Sequence, residues 1–335
     1  MRAVRPSVLA IAAATAATAA TAPGVSSASP SVTPRIIGGT PASTGEVPFI
    51  ALINSVVSST SALQCGGSII SDRHILTAAH CAYSSMGFKA SIDNVYVTLG
   101  TVDNQPSPRT AMTIASFTTH PDYVFPKGGQ STDMSIMLND VAIITLDRPI
   151  SFNSRIQPIK IAAEPNLAPG NAVTASGWGL YDNNRPRDVS DVLLTAKLTI
   201  GSTSTCKQYF TPYTGPFGST ICTIDEVASI CQGDSGGPLY IKGKDGKSNV
   251  LAGITSFNAH RIGTGECGGP TGPNYFTNPL YYLDFITKAS GLKQSDLLDN
   301  GSSAPLPPHG NGAASAFDNM AAMAGIGAAA AVALF

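Results

Sequence analysis

The sequence predicts an all-β fold with many turns. Gly and Pro are abundant, at 33 and 24 of 335 residues, which suits a chain that reverses direction often. Apolar runs are short and bounded by turn residues, as at 50–57, 67–70 and 75–77. Further short apolar runs fill 156–198, and 281–289 reads as a helix closing the domain.

Composition bounds the rest. A hydrophobic share of 43% allows a substantial core, and the length admits one large domain or two ordinary ones. The formal net charge of −1 gives no reason to expect nucleic acid or an anionic membrane as partner. The six cysteines allow 15 pairings. None forms a C-x-x-C pair, so no zinc site is expected.

The chemistry gathers at Cys231-Gln232-Gly233-Asp234-Ser235-Gly236-Gly237-Pro238. A serine between glycines on a tight turn presents its hydroxyl without side chains blocking an incoming carbonyl. Backbone N–H groups at Gly233 and Ser235 can point together at a developing oxyanion. A serine hydroxyl is a poor nucleophile, so it needs a base, and the base an orienter. The same pentapeptide fits the G-x-S-x-G elbow, whose Asp and His partners follow the serine. Only His260 and His309 follow it here, neither in a recognisable setting. Upstream, Leu76-Thr77-Ala78-Ala79-His80-Cys81 and Asn139-Asp140-Val141-Ala142-Ile143 supply a histidine and then an aspartate. His74 and His120 carry no such context.

His, then Asp, then Ser is the chymotrypsin-type order. The chain resembles the trypsin/chymotrypsin family of serine endopeptidases. Five motifs agree in order: Ile36-Ile37-Gly38-Gly39, the His80 block, the Asp140 block, Gly177-Trp178-Gly179 and the Ser235 block. The resemblance runs to about residue 290. It implies two packed six-stranded antiparallel β-barrels with a C-terminal helix and the active site in the cleft between them. It implies His80, Asp140 and Ser235 as the catalytic residues and the Gly233 and Ser235 amides as the oxyanion hole. It also implies the pairs Cys65–Cys81, Cys206–Cys222 and Cys231–Cys267, the last stabilising by roughly 3–4 kcal/mol. Disulfides point to an oxidising compartment. The counterpart of the family's calcium loop, 100–116, offers only Asp103, so no metal or other cofactor is expected.

The ends of the chain are expected to be processed. Residues 1–28 read as a secretory signal: Arg2 and Arg5, an Ala/Thr/aliphatic run, and the small-x-small site Ser26-Ser27-Ala28. Residues 29–35 read as an activation propeptide. Cleavage after Arg35 by another protease would free the Ile36 amine, which the resemblance pairs with Asp234. The protease domain is expected over 36–292, followed by a Gly/Ser/Pro-rich linker over 293–319 and an apolar tail over 320–335. Small residues at Asn311-Gly312-Ala313, a polar spacer and that tail have the layout of a GPI-attachment signal, which would place the enzyme at the outer cell surface. The other reading is a disordered or weakly membrane-associated tail on a secreted enzyme. Asn300 heads a glycosylation sequon. A monomer acting on proteins or peptides is expected.

Specificity is where the sequence departs from trypsins. The residue six before the nucleophile, at the floor of the family's primary pocket, is Ser229 rather than Asp. A guanidinium buried against a neutral hydroxyl would be heavily penalised. Ser256, Phe257 and Asn258 resemble the strand segment that pairs with substrate backbone. Asn258, and Asn274 by a looser alignment, replace glycines of the pocket walls. Small or medium uncharged residues are therefore expected before the cleaved bond; the rival is an open pocket taking aromatics. The 123–138 segment is longer than its family counterpart and reads as a loop bordering the substrate groove. The altered pocket also leaves room for a weakly active or inactive member that binds without cleaving.

Overall fold

The computed structural model describes residues 37–58, 61–84, 87–105, 111–125, 138–180, 189–259, 267, 272–299 and 332–333. Arg35, Ile36, His260, Asn300, His309 and Asn311 lie outside them, as do 126–137 of the long loop and nearly all of the tail.

The strands are β1 (Thr40–Pro41), β2 (Ile50–Ser58), β3 (Ser61–Ile69), β4 (His74–Thr77), β5 (Val95–Leu99), β6 (Ile114–Thr119), β7 (Ala142–Leu146), β8 (Lys160–Ile161), β9 (Ala172–Gly177), β10 (Leu194–Thr199), β11 (Thr220–Thr223), β12 (Pro238–Lys242), β13 (Asn249–Ala259), β14 (Asn274–Thr277) and β15 (Val332–Ala333). They form two curled sheets whose pairings are antiparallel, apart from β8 with β13. The first runs β5-β2-β3-β4-β7-β6. Reciprocal bonds between Val97 and Met112 draw its two edges together. The second runs β1-β10-β9-β12-β13-β14-β11, with β8 and β15 also on β13. The Ile200–Thr223 bridge and the bond from Ile224 N to Thr199 O bring β10 round to β11. This is the expected two-barrel architecture. The second sheet exceeds six strands because three two-residue strands, β1, β8 and β15, add to its main strands.

Side-chain alternation explains the strands. Along β10, Leu194, Ala196 and Leu198 are buried while Lys197 between them is exposed. β7 is buried nearly throughout, so Ile143, Ile144 and Leu146 form an apolar run without alternation. Trp178 is fully buried, with its indole N–H donated to the Val102 carbonyl.

Three helices complete the fold: α1 (Thr203–Tyr209), α2 (Leu283–Ser290) and α3 (Gln294–Leu297). The Ser202 hydroxyl caps α1 by accepting the Thr205 N–H at 3.2 Å. α2 buries Leu283 and Ile286 on one face and ends at Gly291, whose φ of 72° suits a left-handed cap. The described residues continue past 292, the expected end of the domain, to 299. Leu297 and Leu298 are buried, and the Asp299 carboxylate accepts the Ala163 N–H. The polar composition of 293–299 hid two leucines that dock on the domain. No helix among the described residues is long and apolar enough to cross a membrane.

Candidate active site

His80 sits in a short 3-10 turn, Ala79–Ala82, directly after β4. The neighbouring Cys81 is bonded to Cys65 of β3, which clamps this turn to the sheet. The two sulfurs and His80 are close together, but both sulfurs are committed to the disulfide and cannot hold a metal.

Asp140 lies two residues before the start of β7 and is buried. Its Oδ2 accepts from His80 Nδ1 at 2.8 Å, and its Oδ1 accepts from the His80 backbone N–H at 2.9 Å. Ser256 Oγ, from β13 in the other sheet, donates to Oδ2 at 2.5 Å. Burial alone would push the Asp140 pKa up. The charge of His80 and the hydrogen bonds from His80 and Ser256 outweigh it and hold the carboxyl below its usual range. Asn139 just before it has φ of 62°, a left-handed value that Asn tolerates better than most residues. Tyr282 holds it there: the Tyr282 hydroxyl accepts the Asn139 N–H at 3.0 Å and donates to its side-chain oxygen at 3.1 Å.

Ser235 lies in the turn before β12, between Gly233 and Gly236 with φ of 97° and 74°. Its carbonyl accepts the Gly66 N–H from β3 at 2.7 Å. A Cβ on Gly236 would lie 2.1 Å from Thr77 Oγ1, so only glycine lets the serine turn press against the residues leading to His80. Among the described residues, the N–H groups of Gly233 and Ser235 donate to no backbone carbonyl. Ser235 Oγ and His80 Nε2 are both buried, and among the described residues neither has a hydrogen-bond partner. Such bonds are often long or misaligned until substrate is bound.

Asp234 points away from the cleft. Its carboxylate accepts the Gly179 N–H at 2.8 Å and the Cys231 N–H at 2.9 Å. Burial pushes its pKa up to about 7, partly offset by those two bonds. Among the described residues no ion pair reaches it. Ile37, one residue after Ile36, bridges to Ser229 in the same wall.

The expected pocket residues meet. Asn258 and Asn274 face each other across the β13–β14 register. Asn258 Nδ2 donates to Asn274 Oδ1 at 2.6 Å and to Ser229 Oγ at 3.1 Å. Ser229 Oγ donates to Asn274 Oδ1 at 2.6 Å. Asn274 Nδ2 reaches Thr223 Oγ1 at 3.3 Å. Phe257 stacks on Tyr275 with ring centroids 4.7 Å apart. The chain joins Cys206 to Cys222 and Cys231 to Cys267, the second tying the serine turn's start to the segment before β14. Thr223, Tyr282 and the left-handed Asn139 were not visible in the sequence. Thr223 carries no local signal, whereas an Asn before a buried Asp was the one available hint of a left-handed residue.

Two closed antiparallel sheets with a serine turn, a histidine and a buried aspartate at their junction define a chymotrypsin-fold serine endopeptidase. The trypsin family model matches residues 36–286, and the chain belongs to that family. It is 34% identical over 233 residues to brachyurin of Leptuca pugilator, covering 68% of this chain and 88% of that protein. It is 30% identical over 256 residues to trypsin-1 of Astacus astacus, covering 75% and 98%. Phenoloxidase-activating factor 3 of Holotrichia diomphalia is 30% identical over 273 residues, covering 75% and 71%.

Proposed function

We propose that this endopeptidase works through Ser235, His80 and Asp140 and cuts after small or medium uncharged residues. Ser235 Oγ attacks the carbonyl carbon while its proton passes to His80 Nε2. Asp140, ionised, keeps His80 Nδ1 protonated and stabilises the imidazolium. The Gly233 and Ser235 amides receive the oxyanion. His80 returns the proton to the departing amine, leaving an acyl-enzyme that water hydrolyses by the same proton route. The observation that carries this reading is the carboxylate of Asp140 receiving His80 Nδ1, His80 N and Ser256 Oγ together.

The pocket preference rests on the Ser229–Asn258–Asn274 cluster, which is buried, neutral and already hydrogen-bonded to itself. A Lys or Arg side chain would find no carboxylate there, and a large ring would have to break the cluster. The enzyme is therefore not expected to cut efficiently after its own Arg35, and another protease would release Ile36 to pair with Asp234. The signal at 1–28 supports secretion, and the sequence layout around Asn311 is compatible with a lipid anchor. The test is active-site labelling with a fluorophosphonate on protein processed after Arg35. Wild-type label at Ser235, absent in Ser235→Ala and in unprocessed protein, is the expected result; equal labelling of the unprocessed protein would overturn the zymogen reading.

A further inference from the structure

Among the described residues, seven buried side-chain nitrogen or oxygen atoms have no hydrogen-bond partner. Four are hydroxyls outside the proposed site, on Ser68, Tyr123, Tyr213 and Thr255. Two are the proposed reacting atoms, Ser235 Oγ and His80 Nε2. The seventh is Asn258 Oδ1, an amide oxygen that accepts and cannot donate. Folded chains seldom leave such an atom buried and empty without a use for it. The cluster around it has nothing left to fill it. Asn258 Nδ2 uses both its protons, on Asn274 Oδ1 and Ser229 Oγ. Turning that amide over would set its oxygen against Asn274 Oδ1, itself already filled by two donors. The network therefore keeps Asn258 Oδ1 on the side away from Asn274. The strand also aims this residue toward the chemistry. In β13, Phe257 packs into the cluster of Phe210 and Tyr275, so Ser256 and Asn258 on either side of it share the opposite face. Ser256 on that face donates to the Asp140 carboxylate, so Asn258 stands on the side of β13 where the reacting groups gather.

We infer that Asn258 Oδ1 is a specificity-determining acceptor, and that the enzyme selects, before the cleaved bond, a small side chain carrying a hydrogen-bond donor: the hydroxyl of Thr or Ser, or the amide of Asn. The inference rests on the reading of Ser229, Asn258 and Asn274 as the primary pocket, and narrows its preference from uncharged to donor-bearing. The sign follows from desolvation. Thr gives up its bonds to water on entering a neutral pocket, whereas its isostere Val has none to give up, so a pocket without a free acceptor favours Val. An empty buried acceptor reverses that order, because Val leaves it unpaired and Thr fills it. Lys and Arg carry donors too, but their charge meets no carboxylate in the cluster.

The test is kcat/KM on the protein processed after Arg35, with matched peptides in two isosteric pairs before the cleaved bond: Thr against Val, and Ser against α-aminobutyrate. Each pair exchanges a hydroxyl for a methyl and changes little else. Thr should exceed Val, and Ser should exceed α-aminobutyrate, by about tenfold. In Asn258→Leu, which keeps the shape of the side chain and loses both polar atoms, both ratios should fall below one. Each ratio is taken within one protein, so a general loss of activity in the variant cancels. The wild-type pairs need no variant, and the inference can fail on them alone. Val as fast as Thr or faster, with Ala and Val still ahead of Phe and Arg, would overturn the acceptor and leave the pocket reading standing. Phe or Arg as the best substrate would overturn both. A hydroxyl preference that persists undiminished in Asn258→Leu would overturn the assignment to Asn258.

Discussion

Ser256 and Asp140 are joined across the two sheets by a hydrogen bond of 2.5 Å, from a hydroxyl on β13 to the carboxylate before β7. This contact fixes the aspartate relative to β13 as well as to His80. A hydrogen bond to a buried charge is worth about 1.5–3 kcal/mol. Asp140 has a depressed folded pKa, so its stabilisation is present above the unfolded value and is lost as pH falls through the folded one. Ser256→Ala removes one of the hydrogen bonds that hold the carboxyl down and should raise that folded pKa. Acid unfolding, followed by circular dichroism, should then begin at correspondingly higher pH; an unmoved acid limb would contradict the assignment.

Asp140→Asn should leave the fold intact and lower kcat by about 10⁴, because the amide favours the wrong histidine tautomer. Single-turnover kinetics on a refolded, Tm-matched variant would check it. A loss under tenfold would mean Asp140 is not the orienter.

The charge on Asp234 gives a pH signature of opposite sign. Its folded pKa is raised to about 7 from an unfolded 3.8. Below pH 4 both states are protonated and nothing is lost. Between about pH 4 and 7 the unfolded chain ionises while the folded one resists, so precursor stability should fall as pH rises and level off above 7. Urea unfolding of an Arg35→Gln precursor should show this slope, and Asp234→Asn should flatten it. Processing after Arg35 should also flatten it, as the Ile36 ammonium compensates the carboxylate.

Gly179→Ala tests the packing around the same group. A Cβ there would lie 2.5 Å from the Asp234 carboxyl carbon, and Asp234 itself is locked by two backbone donors. The collision has no flexible partner to yield, so a loss of about 1–3 kcal/mol, the cost of overpacking, is expected in thermal unfolding. A wild-type Tm would refute the described placement of Asp234.

Much of this was legible from the chain. Turn-bounded apolar runs gave the strands, and the order of the His80, Asp140 and Ser235 motifs gave the resemblance to the family and the partners to look for. Long-range geometry was not. Tyr282 reaches Asn139 across 143 residues of sequence, and nothing near either residue announces the contact. Thr223 joins the Asn274 amide only because β11 and β14 are neighbours in register. Leu297 and Leu298 were hidden because two apolar residues in a polar stretch do not make a periodic pattern. β15 could not be foreseen at all, since an apolar tail has the same composition whether it enters a membrane or pairs with a strand.

A serine-dependent endopeptidase with a neutral pocket should discriminate by the size and charge of the residue before the cleaved bond. This is tested most directly by kcat/KM for matched peptides that differ only before the cleaved bond, carrying Ala, Val, Thr, Phe or Arg. The protein is processed after Arg35, with Ser235→Ala as control and Asn258→Gly, Asn274→Gly as the opened pocket. Ala, Val and Thr should exceed Phe by about tenfold or more, with Arg slower still, and the double glycine variant should reverse the order of Ala and Phe. Arg or Phe as the fastest wild-type substrate, or cleavage that survives Ser235→Ala, would contradict it.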